Sequence, residues 1–129
     1  MHKSFLRTAS LLGALAVALG AFGAHALKGR VSDAAAGAFE TGVRYQFYHV
    51  LALLLLAILY KEFKNKWVVL SGNLFVLGVV LFSGSLYLLT FIQLKPGFSW
   101  VGIITPIGGL AFIGGWFCLL LGVTRTRKY

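Results

Sequence analysis

Most of the side chains that could do chemistry lie in one short stretch, TGVRYQFYH at residues 41–49, which runs directly into the apolar segment VLALLLLAILY. Together with the residue before it, the stretch carries an acid, a base, two tyrosines, a glutamine and a histidine. Glu40 and Arg44 are four residues apart, a spacing that brings opposite charges together on a helix. Such an ion pair lowers the cost of placing charge near hydrocarbon.

The same spacing predicts a polar helix face. Tyr45 and Gln46 precede His49 by four and three residues, so the three side chains share one side of a helix. At ~1.5 Å of rise per residue, His49 lies about 10 Å along the axis from Gly42, inside the apolar layer. Polar groups at this depth should point into a helix bundle rather than into lipid. The possible partners on the third apolar segment are Asn73, Ser83, Ser85, Tyr87, Thr90 and Gln93. Of these, Ser83, Tyr87 and Thr90 are predicted at a similar depth to His49.

Two interpretations of this polar cluster are open. In the first, it is an interhelical hydrogen-bond network that fixes helix register, and each contact contributes ~0.6–2 kcal/mol. In the second, it is a ligand or proton site, because ionisable residues inside a membrane are often functional. The candidate polar site comprises His25, Glu40, Arg44, Tyr45, Gln46, His49, Ser83 and Tyr87.

Familiar catalytic and metal-binding patterns are absent from the sequence. It contains no nucleotide-binding loop, no paired carboxylates and no Ser-His-Asp arrangement, and it has only three acidic residues. Cys118 is the single cysteine, which rules out an intrachain disulfide or a cysteine metal cluster. Haem ligation by His25 and His49 is disfavoured, because His25 closes the first helix whereas His49 lies deeper. We therefore expect no enzyme activity, no cofactor and no metal.

The elements that must position these residues are membrane-spanning helices. Charged residues make up 12% of the 129 residues, against about 25% in soluble domains, and the mean hydropathy is +0.87. Four long segments carry no charge, and each approaches the ~20 residues needed to cross a bilayer. The prediction is a single all-α domain over residues 1–129, an integral membrane four-helix bundle. The helices are expected at about 6–26, 42–60, 67–93 and 105–123.

The ends of these helices carry further predictions. The first helix resembles a signal peptide, but its uncharged run over residues 8–24 exceeds the usual apolar region of ~7–15 residues, so we expect it to be retained. Ser32 and Asp33 favour a helix start, which predicts a short interfacial helix between helices one and two, or one continuous with helix two. Helix four is expected to begin at Thr105, or as a kinked helix nearer Trp100.

Small residues form two stripes, each repeating every three or four residues and therefore lying on one side of a helix. The stripe of helix one comprises Ala9, Gly13, Ala16, Gly20 and Gly23. The stripe of helix four comprises Gly108, Ala111, Gly115, Cys118 and Gly122. In lipid, small side chains let helix backbones approach closely. Two such stripes predict a tight bundle in which helices one and four are close neighbours.

The net charge of +9 indicates topology rather than a nucleic-acid site. Lysines and arginines flank the apolar segments, and no RNA-binding or helix-turn-helix motif accompanies them. The two tails and the turn at residues 61–66 hold eight of the twelve basic residues, and the other two connections hold four. The positive-inside rule predicts that both termini are cytoplasmic, with the chain crossing the inner (plasma) membrane several times. The expected partner is the lipid bilayer, and no nucleic acid.

Four motifs carry a family resemblance that covers nearly the whole chain: LGAFGAHALK at 19–28, TGVRYQFYHVLALLLL at 41–56, FSGSLYLL at 82–89 and ITPIGGLAFIGGW at 104–116. In this order they resemble the family known as domain of unknown function 423, which includes small inner-membrane proteins of the YgdD/YwdK type. The resemblance implies a four-helix integral membrane protein, and it implies no mechanism. The positions that match the family motifs are Gly23, His25, Gly42, Tyr45, Gln46, His49, Ser83, Gly84, Ser85, Tyr87, Pro106, Gly108, Gly109, Gly114 and Gly115.

The leading functional hypothesis is a non-enzymatic membrane protein that acts by association. It associates with copies of itself as a homo-oligomer, or with a membrane-protein partner in a larger complex. Two small-residue stripes and the lack of catalytic groups favour this interpretation. The alternative is a small-molecule, lipid or proton-conducting site at the outer end of the bundle, built from His25, Arg44, Tyr45, Gln46 and His49.

Overall fold

Four long helices make up the part of the protein that a computed structural model describes, residues 1–92 and 100–126. All four are long and apolar enough to cross a membrane, which confirms the predicted all-α integral membrane class. Residue 93, the predicted end of helix three, lies outside the described residues. The helices are α1 (Lys3–His25), α2 (Asp33–Leu59), α3 (Lys66–Ile92) and α4 (Val101–Arg125). We call the end of the bundle that holds His25 and Asp33 the outer end.

The second helix begins at Asp33, nine residues before its predicted start at residue 42. The Ser32 hydroxyl accepts a hydrogen bond from the Ala35 N–H at 3.2 Å, and Asp33 places a negative charge at the positive end of the helix. From there α2 runs without a break to Leu59. The segment expected as a short interfacial helix is therefore the first part of α2, which is the continuous one of the two alternatives.

The fourth helix starts at Val101, as the kinked-helix alternative predicts, and not at Thr105. Two features stabilise its first turns. The Val101 side chain is fully buried, and the Thr105 and Ser85 hydroxyls form a hydrogen bond of 2.6 Å. Pro106 lies inside the helix and has no N–H, so the carbonyl of Gly102 loses its helical partner. The tertiary contacts therefore stabilise a helical turn that Pro106 alone would disfavour.

A π-helical turn over Val79–Ser83 interrupts α3. Nothing in the hydrophobic pattern predicts it, because one π turn shifts the helix phase by a single residue. The turn presents the backbone of Phe82 to Gly108 of α4 and the hydroxyl of Ser83 to Gly42 of α2. It thereby lets one helix contact two neighbours at the same depth.

The two small-residue stripes pack within hairpins of consecutive helices. Within the described ranges, α1 packs on α2 and α4 packs on α3, whereas α1 and α4 are not neighbours. The prediction that helices one and four are close was wrong. Each stripe instead lies against the adjacent helix of its own hairpin, whose side chains, and at Phe82 the backbone, fill the space beside the small residues. The pairs are Gly13–Val50, Gly20–Val43 and Gly23–Phe39 in the first hairpin, and Gly108–Phe82, Gly115–Phe75 and Gly122–Val68 in the second.

Candidate functional site

Gln46 links three helices from the middle of the bundle. Its side chain is 2% exposed. The amide Nε2–H donates to the Leu12 carbonyl of α1 at 2.7 Å, and the Oε1 accepts from the Tyr87 hydroxyl of α3 at 2.6 Å. Both ends of the amide are therefore bonded within the protein, which is what a polar group in an apolar layer requires.

Three side chains and one backbone carbonyl surround the His49 ring. The Trp116 indole N–H donates to its Nε2 at 3.1 Å, and its Nδ1 lies 2.8 Å from the Tyr45 carbonyl oxygen. An indole can only donate and a carbonyl can only accept, so these partners assign the proton of the neutral ring to Nδ1. The ring stacks on Phe112 at a centroid distance of 3.6 Å and meets Phe75 edge-on at 5.3 Å.

Hydroxyl groups of α3 make further bonds to the neighbouring helices. The Ser83 hydroxyl donates to the Gly42 carbonyl of α2 at 2.7 Å. Thr90 donates to the Ala35 carbonyl of α2 at 3.3 Å and to the Leu86 carbonyl of its own helix at 2.9 Å. Ser83, Tyr87 and Thr90, predicted at the depth of His49, thus all bond to α2. Of the other possible partners, Ser85 bonds to Thr105 of α4, Asn73 makes no hydrogen bond within residues 1–92 and 100–126, and Gln93 lies outside the described residues.

The outermost candidates lie on the surface. Glu40 and Arg44 form the predicted ion pair at 2.9 Å, with their side chains 71% and 51% exposed. Exposure of this order leaves such a pair worth about 1 kcal/mol or less. His25 is exposed at the end of α1. Both ring nitrogens of His49 are bonded to the protein, so the two histidines form no ligand pair.

The structure therefore divides the eight candidates into two groups. Gln46, His49, Ser83 and Tyr87 form an inner polar network, to which Tyr45 contributes its carbonyl. The surface group comprises His25, Glu40 and Arg44.

Sequence reasoning missed Trp116, which completes the environment of His49. Tryptophans of membrane proteins concentrate at the membrane–water interface, and Trp116 lies well inside α4 instead. An indole N–H at such a depth needs a hydrogen-bond acceptor, so the position of Trp116 within the apolar segment could have indicated a polar partner on another helix.

A second polar junction lies at the opposite end of the bundle, between the start of α3 and the end of α4. The Asn65 side-chain oxygen accepts hydrogen bonds from the N–H groups of Trp67 and Val68 and caps α3. Its amide N–H donates to the Gly122 carbonyl at 2.9 Å and to the Thr126 hydroxyl at 2.8 Å. The Asn65 side chain thus caps the start of α3 and binds the end of α4 by hydrogen bonds. A capping pattern in the sequence does not reveal the second role.

A groove opens at the outer end between α1 and α2. Its volume is about 600 Å³, and it is separate from His49 and Gln46. Charged side chains of both signs border it, next to a glycine-lined floor. The lining residues are Gly20, Gly23, Ala24, Lys28, Asp33, Ala36, Gly37, Phe39, Glu40 and Val43.

Four spans and an internally bonded polar network define the class as a four-helix integral membrane protein. The model of a family described as "Protein of unknown function (DUF423)" matches residues 19–109, and the chain belongs to that family. It is 41% identical over 125 residues to a UPF0382 membrane protein of Staphylococcus haemolyticus, covering 95% of this chain and 97% of the relative.

Two further relatives agree with this assignment. The chain is 40% identical to the UPF0382 membrane protein YwdK of Bacillus subtilis, covering 95% of this chain and 98% of the relative. It is also 40% identical to the UPF0382 inner membrane protein YgdD of Escherichia coli, covering 93% and 88%. No solved structure matches the chain. The family and the four spans place the protein in the inner (plasma) membrane as a multi-pass protein, as predicted.

Proposed function

We propose that the protein is a non-enzymatic membrane protein that acts by association, with copies of itself or as an accessory partner of a membrane complex. The main support is that the inner polar network is satisfied from within. Gln46, His49 and Ser83 are each bonded to another helix. A ligand at this place would have to displace bonds that hold the bundle together. A protein partner would therefore contact the outer surface of the helices.

The particle mass of the purified full chain tests this proposal. After extraction in a mild detergent, native mass spectrometry should find two or more copies per particle, or one copy with a constant protein partner. A monomer that carries no partner, both in detergent and after reconstitution into lipid nanodiscs, would overturn the proposal.

The orientation of the chain belongs to the same proposal. Both termini are cytoplasmic, because eight of the twelve basic residues lie in the tails and in the turn between α2 and α3. A cysteine introduced at Glu62 in a Cys118→Ser background should react with a membrane-impermeant maleimide only after the cells are opened. Labelling of Glu62→Cys in intact spheroplasts would show that the turn between α2 and α3 faces outwards and would overturn this orientation.

A second candidate function is the binding of a lipid at the outer end, which the groove between α1 and α2 favours. Lys28 on one side and Asp33 and Glu40 on the other complement the phosphate and the ammonium of a zwitterionic head group. The floor near Gly20 and Val43 is apolar and suits an acyl chain. This site differs from the predicted one at His49, since only Glu40 of the eight candidates borders it.

A groove-filling variant separates this function from the first. A side chain added at Gly37 meets no other atom within 4 Å, so Gly37→Leu should fold and occupy the groove. Gly102 of α4 is equally unobstructed and lies outside the groove, so Gly102→Leu is the matched control. Native mass spectrometry with phosphatidylethanolamine should show one retained lipid fewer for Gly37→Leu alone. Equal lipid counts in wild type and both variants would remove this candidate.

A further inference from the structure

Asn73 is a polar residue in an unusual place. It lies seven residues after Lys66, the first residue of α3, which is about 10 Å along the helix axis. Trp67, flanked by Lys66 and Arg125 at 5.5 and 5.2 Å, marks the membrane boundary at this end. Asn73 lies six residues beyond Trp67, about 9 Å along the helix axis, and therefore within the ~30 Å hydrocarbon layer.

The Asn73 amide faces outwards and has no partner in the part of the chain that the structure describes. The side chain is exposed on the surface of the bundle. Within residues 1–92 and 100–126, it makes no hydrogen bond. Its amide offers two donors and one acceptor oxygen, and hydrocarbon provides partners for neither. This contrasts with the polar groups of Gln46 and His49, which are bonded within the bundle.

Asn73 sits in an apolar stripe that points away from the other helices. Leu70, Leu77 and Val80 are 42%, 46% and 60% exposed, and with Asn73 they follow a three-and-four spacing along α3. The opposite side of this helix carries Ser71 and its buried neighbours, which face α4. We call Leu70, Asn73, Leu77 and Val80 the outward stripe. Its spacing is that of a helix seam with one polar position, a pattern that sets register in paired helices.

We propose that the outward stripe is the interface of a parallel homodimer in which the two Asn73 amides hydrogen-bond to each other. A second copy is the occupant because both copies enter the membrane in the same orientation. A two-fold axis along the membrane normal then brings each stripe residue opposite its own counterpart. An amide is self-complementary, since its N–H groups can donate to the oxygen of an identical amide. The proposal rests on the proposed function and names the surface through which self-association occurs.

Disulfide cross-linking in native membranes tests the interface directly. Single cysteines at Leu70, Asn73 and Leu77 are introduced in a Cys118→Ser background and oxidised with copper phenanthroline. Each should give a covalent dimer, because symmetry places the two cysteines face to face. Leu51→Cys on α2 and Leu120→Cys on α4 are matched controls, since these leucines are 58% and 57% exposed on other helices, and they should stay monomeric.

Dimer affinity supplies the second measurement. Asn73→Leu keeps the size and removes the amide, so the dimer dissociation constant in detergent should rise about 3- to 30-fold. Asn73→Gln should recover part of the affinity. Far-ultraviolet circular dichroism shows whether each variant keeps its helices, so a loss of folding is not mistaken for a loss of association.

Three other outcomes would separate the failure of the proposed interface from the failure of the proposed function. Cross-links at Leu51 or Leu120 in an oligomeric protein would overturn the interface and leave the proposed function standing. Loss of a different protein partner in Asn73→Leu, with no homodimer in wild type, would overturn the second copy as occupant. A wild-type monomer without any partner would overturn both the interface and the proposed function.

Discussion

The two helix hairpins use the same sequence device and achieve different closeness. A Cβ added at Gly13 or Gly20 of α1 would lie 3.3 or 3.4 Å from a valine side chain of α2. A Cβ added at Gly108 of α4 would overlap the Phe82 backbone nitrogen and lie 2.7 Å from its Cα. In the first hairpin, backbone therefore meets side chains, whereas the second hairpin adds at Gly108 a contact of backbone with backbone.

A small-residue stripe therefore marks where two helices approach closely, but it does not determine the distance between them. The π-helical turn of α3 brings the backbone of Phe82 to Gly108. The first hairpin has no such feature within the described residues, and the groove at its outer end fits its looser contact. Polar side chains then join the hairpins to each other, through the Tyr87–Gln46, Ser83–Gly42 and Trp116–His49 bonds.

The largest effect is expected at Gly108. Gly108→Ala should lower the free energy of unfolding by about 3 kcal/mol, because the backbones of α3 and α4 must separate to admit the methyl group. Gly109→Ala is the matched control, since its added Cβ lies an unstrained 3.8 Å from the Phe82 ring. An SDS titration followed by circular dichroism measures both variants. Equal stability of the two would show that backbone contact does not hold the second hairpin.

A smaller loss is expected where the hairpins are joined. His49→Ala removes the stack on Phe112 and leaves the Trp116 indole N–H without its acceptor. The free energy of unfolding should fall by about 2 kcal/mol in the same titration. Tyr48→Ala serves as control, because Tyr48 is 53% exposed on the same helix. A His49→Ala variant as stable as Tyr48→Ala would favour a ligand role for the histidine instead.

Two serines of α3 provide a matched pair. Ser71 and Ser83 are both fully buried, but the Ser71 hydroxyl has no hydrogen-bond partner in the described chain. Ser83→Ala should cost about 1 kcal/mol through its lost bond to Gly42, whereas Ser71→Ala should be neutral or stabilising. Thermal unfolding of both variants in one detergent gives the difference. A destabilising Ser71→Ala would mean that the second hairpin also depends on a polar contact.

The smallest effect is expected in the first hairpin. Alanine at Gly20 gains about 0.5–1 kcal/mol of helix stability, which offsets a slight displacement of the Val43 side chain. The net change in the free energy of unfolding should stay within about 0.5 kcal/mol. A loss as large as that of Gly108→Ala would make the two hairpins equivalent and remove the contrast between them.

The sequence predicted the spans, the Glu40–Arg44 pair and the inward polar face, because each follows from charge, hydropathy or helical spacing. It could not assign partners to the stripes, since the wrong pairing of helices one and four uses the same glycines. Trp116 and the π-helical turn were also beyond the sequence patterns. Both depend on which helices meet at which depth, and the hydrophobic periodicity of one helix carries no information about the helix packed beside it.

We infer that polar bonds between the hairpins hold the bundle together, and that this polar network is not a ligand site. A double-mutant cycle on Gln46 and Tyr87 tests it most directly, because the bond of 2.6 Å joins the two hairpins. Unfolding free energies are measured for Gln46→Leu, Tyr87→Phe and the double variant. Both single variants should be less stable than wild type, and the coupling free energy between them should be about 1 kcal/mol. Single variants as stable as wild type, with no coupling, would contradict this inference.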